Sequence, residues 1–166
     1  MVHIRCTERL RKRLRLAPLP KVPSQGLLLS EWHANVITVD KFPLVLAVED
    51  RTRLSLVVRA RDLPRLPQRL ASALHDLLIR LGVAEEMALG YAARMTELTW
   101  SASTDRSVLG TMNDFASLLK WLGAQGSRPS LEDMMDYLAD VPTGPIGMDS
   151  PGQFTVAAIR FDPKAN

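Results

Sequence analysis

The sequence predicts an α+β fold: an antiparallel sheet, made of a β-meander plus an N-terminal and later strands, with four to five helices packed mainly on one face. Two observations carry this. Apolar, β-branched runs separated by tight turns crowd residues 35–60. The period then changes, and from residue 67 apolar side chains recur at helical spacing. A chain of 166 residues can bury a real core, and residues 1–166 read as one domain.

Each element follows from its residues. VHIRC at residues 2–6 reads as a short strand, and Thr7 is placed to cap a helix over 8–15, with Leu10 and Leu14 on one side. APLPKVPSQG is a Pro-rich connector, excluded from helix and from a central strand. NVITVD and PLVLAVED form a hairpin turning near Asp40 and Lys41, and RTRLSLVVRA adds a third strand. Leu70, Ala73, Leu74, Leu77, Leu78 and Leu81 mark a helix that starts at Pro67 and stops at Gly82. AEEMALGYAARM is a second helix, and TELTWSAS a strand. SVLGTMNDFASLLKWLG is a third, with Val108, Met112, Phe115, Leu119 and Leu122 toward the core. SLEDMMDYLADV is a fourth, opened by Ser130 with Asp133 three residues on, a capping-box pattern. FTVAAIRF at the end is expected to be a last strand.

Composition excludes several classes. Hydrophobic residues make up 46% and charged residues 23%, ordinary for a globular domain. No run of about 18 apolar residues exists to form a membrane-spanning helix. The basic N-terminus lacks a following apolar region, so no secretory signal is expected. Cys6 is the only cysteine, which excludes an internal disulfide and a cysteine-based zinc site. A reducing, cytoplasmic location is expected, with Cys6 a small apolar residue on a buried strand. His3, His33 and His75 stand in no metal-binding spacing, and neither a G-x-S-x-G elbow nor a phosphate-cradling Gly-rich loop is present. No cofactor or metal is expected, and a non-enzymatic role is favoured over catalysis.

The net charge of +3 is unevenly placed. Residues 1–21 carry Arg5, Arg9, Arg11, Lys12, Arg13, Arg15 and Lys21 against Glu8, whereas residues 131–166 carry six acids against Arg160 and Lys164. This asymmetry points to an acidic partner, nucleic acid or an acidic protein.

IRCTERLRKRL, LSEWHANVITVD and RSVLGTMNDF, in that order, give the chain a specific signature. It resembles an uncharacterised bacterial domain family with the pattern I-R-C-T, then W-x-A-N, then R-S-x-L-G-x-M-N-D. The resemblance implies domain identity and bacterial origin, not an activity. This chain carries His33 where that family often has Tyr.

Two surfaces are candidates for function. Strand alternation places Arg51, Arg53, Ser55, Val57, Arg59 and Arg61 on one face, about 6.6 Å apart, a spacing that can track a phosphate backbone. The helix bearing Arg9, Lys12 and Arg13 adds to it. The best functional expectation is nucleic-acid binding through this sheet face and first helix. One alternative is an interaction module of a plasmid- or phage-linked pair; another is a metal-independent ribonuclease with His33 near Arg106. The second surface is a polar recess. Thr104 or Asp105 can cap the third long helix, and Arg106, Gly110, Asn113 and Ser117 share a face bordered by Ser107 and Asp114. Trp32, His33 and Asn35 are expected to join it. A mid-helix glycine costs about 1 kcal/mol relative to Ala, so Gly110 is expected to allow a close approach, and Gly110→Ala to destabilise.

Overall fold

The computed structural model describes residues 1–164. Strand β1 (Val2–Cys6) leads into helix α1 (Glu8–Arg13), capped by Thr7, whose Oγ1 accepts from the Leu10 N–H. The Pro-rich connector then returns the chain to β2 (Glu31–Val39). β2 turns at Asp40 and Lys41, both at positive φ (46° and 68°), into β3 (Phe42–Glu49). A second tight turn leads to β4 (Ser55–Arg59). Helices α2 (Leu66–Arg80) and α3 (Glu85–Arg94) precede β5 (Leu98–Ala102). The chain closes with α4 (Arg106–Gly123), α5 (Leu131–Asp140) and α6 (Pro151–Arg160).

The sheet order is β4-β3-β2-β1-β5, and the sheet is mixed. The meander β2–β3–β4 is antiparallel as expected. β1, however, runs parallel to both neighbours, with Ile4 opposite Trp32 on β2 and Trp100 on β5. The connections decide this: β1 reaches β2 through a helix and a long connector, which bring the chain back to start from the same end.

Helices do not lie mainly on one face. Val2–Cys6 and Leu44–Glu49 are buried without alternation, so both faces of the sheet are covered. α4 lies over β2 and β3, with Gly123 so close that a Cβ there would sit 2.9 Å from Val39 Cγ1. α5 packs on β4, and α1 on β1 and β2.

The final segment, expected to be a strand, is a helix. Ser150 caps it by accepting from the Gln153 N–H, and Pro151 occupies the first turn, where its missing N–H costs nothing. Pro151, Gly152, Thr155 and Ile159 form its buried side. The capping box at the start of α5 forms as the sequence predicts, with Ser130 Oγ and the Asp133 carboxylate each accepting the other's N–H.

Candidate functional site

The basic strand face does not exist in the predicted form. β4 begins only at Ser55; Asp50 to Leu54 make the turn before it, and Arg53 takes a left-handed φ of 61°. Ser55 and Val57 are fully buried, because α5 packs on β4. Arg53 is 7% exposed: it donates to the Asp50 carbonyl and, through Nη2, to Ser107 Oγ at 3.1 Å. Arg51 is exposed at the same end, where Nη1 donates to the Gly26 carbonyl at 3.2 Å.

The far end of β4 keeps the predicted charge. Arg59 and Arg61 are exposed, and the first helix is brought to them: Arg13 Nη2 donates to the Ala60 carbonyl at 3.4 Å. Arg69 of α2 joins from another side, donating to the carbonyls of Arg59 (2.7 Å) and Arg61. Carbonyl oxygens satisfy these N–H groups without neutralising their charge. The Arg59 guanidinium lies 5.5 Å from the ring centroid of Phe42, itself 49% exposed. Among the described residues Arg9, Lys12, Arg13, Arg59, Arg61 and Arg69 form no ion pair. Arg69 and Phe42 are the members that sequence periodicity missed.

The residues expected in the polar recess are dispersed. Trp32 is core: it is wholly buried, and its indole N–H donates to the Leu29 carbonyl at 3.1 Å. Asn35 braces the start of α1, with Oδ1 accepting from Thr7 Oγ1 at 2.6 Å and from the Val36 N–H at 2.9 Å. Arg106, Ser107, Gly110 and Asp114 line an open groove of about 290 Å³ between α4 and residues 141–145. Asn113 is exposed and lies outside it. Asp105 is the cap, accepting from the N–H groups of Ser107 (2.8 Å) and Val108 (3.1 Å).

Gly110 permits no close approach, since a Cβ there would meet nothing within 4 Å. The expected sign therefore reverses. Gly110→Ala should stabilise the protein by up to about 1 kcal/mol through helix propensity. Urea denaturation measures this; a loss of stability would show that the groove closes onto the helix in solution.

His33 is the residue of the set with chemistry around it. On one sheet face, Ser101, Arg5 and His33 stand in a row across β5, β1 and β2. His33 is 1% exposed and bonded at both ring nitrogens: Nε2 lies 3.0 Å from Asp50 Oδ1, and Nδ1 lies 2.8 Å from Ser103 Oγ. A carboxylate only accepts, so Nε2 carries a proton, and in the neutral ring Nδ1 presents its lone pair to the Ser103 hydroxyl. The His33 hydrogen bond holds the Asp50 carboxyl below its ordinary range, with Arg53 and Arg5 adding positive charge. Arg5 is itself paired with buried Glu31 at 2.8 Å. Among the described residues, Ser101 Oγ and Arg53 Nε are buried without a hydrogen-bond partner. The expected neighbour of His33, Arg106, is exposed at the helix start. Ser103 and Asp50 carry no sequence signal: one follows a strand, the other sits in a turn, and only the register unites them.

Burial pushes the Cys6 thiol up to about 12, which leaves it inert as a nucleophile. Among the described residues no three His, Cys, Asp or Glu side chains gather as a metal site requires, and no helix is long and apolar enough to cross a membrane. No curated protein matches the chain. Residues 3–154 match the family model of a domain of unknown function, DUF6933, and the chain belongs to that family.

Proposed function

We propose that this protein binds nucleic acid through the basic end of the molecule where α1, the end of β4 and the start of α2 meet. The carrying observation is the Arg13 to Ala60 contact, which joins two basic segments separated in sequence into one surface. Arg13, Arg59, Arg61 and Arg69, in no ion pair among the described residues, supply positive charge for phosphates. Exposed Phe42, held by Arg59, supplies a ring on which an unpaired base can stack. This favours single-stranded over duplex ligands. The lone buried cysteine and the motif resemblance support a bacterial, cytoplasmic setting.

The test is fluorescence anisotropy with a labelled single-stranded oligonucleotide across salt. Three to four phosphate contacts on a single strand give a log–log slope of about −2.5. Arg59→Glu combined with Arg61→Glu should make the slope shallower by about 1.5 and leave stability within about 1 kcal/mol, because both side chains are exposed. A flat salt dependence, or no binding at low salt, rejects the reading and favours a protein-interaction module.

A further inference from the structure

We propose that Ser103 is a nucleophile, activated by His33 and positioned by Asp50, and that it cleaves carboxylic esters. Three features of the geometry support this beyond a buried hydrogen-bond chain. The first is direction. Asp50 fixes the proton on His33 Nε2, so the only free lone pair of the ring faces Ser103 Oγ at 2.8 Å. That is the arrangement a general base needs before it can take a hydroxyl proton.

The second is access. His33 is sealed at 1% exposure, while Ser103 and Asp50 at the two ends of the chain are half-buried. Substrate therefore meets the hydroxyl first, and the leaving oxygen and the hydrolytic water reach Nδ1 only from the side of Ser103 Oγ. The third is the local backbone. Ser103 follows β5 directly, and its N–H donates to the Cys6 carbonyl at 3.0 Å, which holds it at the sheet edge just before α4 begins. A nucleophile on a strand-to-helix turn projects from a rigid support.

The step balances with the groups present. Ser103 Oγ attacks the ester carbonyl carbon while its proton passes to His33 Nδ1, giving a tetrahedral intermediate. The C–O bond to the leaving alcohol breaks, and Nδ1 returns the proton to that oxygen. Water then attacks the acyl-Ser103 with the same base, releasing the carboxylic acid and restoring the hydroxyl. The ion pair between the imidazolium and the Asp50 carboxylate stabilises the intermediate. This activity rests on Ser103, His33 and Asp50 and does not draw on the basic end of β4.

The experiment uses a fluorophosphonate probe on the full chain, with mass spectrometry to locate the adduct and p-nitrophenyl acetate to follow turnover. Expected are an adduct on Ser103 and none in Ser103→Ala. His33→Gln should slow labelling at least about 100-fold with the circular dichroism unchanged. Asp50→Asn should slow it as well, since an amide N–H at Nε2 moves the ring proton to the face of Ser103; Asp50→Glu should recover part of the rate. If His33→Gln fails to fold, the two Asp50 variants carry the same comparison. A folded wild-type protein that gains no adduct on Ser103 overturns the proposal. So does an adduct whose rate is equal in wild type, His33→Gln and Asp50→Asn.

Discussion

Replacing Glu49 by Leu lowers the unfolding free energy by at least about 3 kcal/mol. Glu49 ends β3 with its side chain fully buried. Its Oε1 accepts from the Leu29 N–H at 3.1 Å. Its Oε2 accepts from the N–H groups of Arg51 (2.9 Å) and Thr52 (2.6 Å) and from Thr52 Oγ1 at 2.9 Å. One carboxylate thus holds both the turn before β4 and the end of the long connector. Leu matches the burial but accepts nothing, and each orphaned buried donor costs about 1–3 kcal/mol. Gln retains one acceptor oxygen and should fall between. The midpoint of thermal unfolding should drop by roughly 6–12 °C for Leu. A loss below about 1 kcal/mol would mean that water reaches the three backbone N–H groups.

Arg5→Met destabilises by about 3–5 kcal/mol. Arg5 is 5% exposed and Glu31 2%. The guanidinium donates to Glu31 Oε2 through Nη2 at 2.8 Å and Nε at 3.3 Å, and to the Val22 carbonyl. Removing the arginine leaves a buried carboxylate short of its cation. The companion effect is on acid unfolding. Burial opposes ionisation of Glu31, but the Arg5 hydrogen bond and the Gln25 N–H outweigh it and lower the net value. The Asp50 carboxyl is lowered too, chiefly by His33. Groups depressed in the folded state add stability that is present above the ordinary carboxylate range. That stability is lost as pH falls through the depressed values, below about pH 4. Wild type should therefore lose stability on acidification through Glu31 and Asp50, against an opposing contribution from Glu49, whose carboxyl is pushed up by burial, and Arg5→Met should show a shallower acid limb. Urea midpoints measured from neutral pH downward check both; parallel curves would mean that Glu31 is not held by Arg5.

Buried charge is where the sequence is hardest to read. Arg5 sits inside VHIRC and Arg53 inside RTRLSL, and local pattern gives each the same reading as any surface arginine. Arg53 goes inward because the turn holds it at φ 61° beside Ser107 of α4, a residue 54 positions away. Arg59, six residues on, is exposed at the end of β4, with its guanidinium over the Phe42 ring. Gly110 shows the opposite failure. Its rule is local and sound, but the cause it suggests, a close neighbour, is absent from the structure.

The sequence by itself determined what depends on near neighbours. The β-meander with its turn at Asp40 and Lys41, helices α2 to α5, the Thr7 cap, a cap at Thr104 or Asp105 and the capping box at Ser130 all rest on period and capping chemistry within a few residues. Tertiary structure alone decided the rest. It made β1 parallel to two neighbours, buried both sheet faces and turned the last segment into a helix against α5. It placed Arg13 against Ala60, and it set Ser103 and Asp50 on the two nitrogens of His33. These pairings span 17 to 70 residues, and their energy comes from register and burial that no local window of the chain contains.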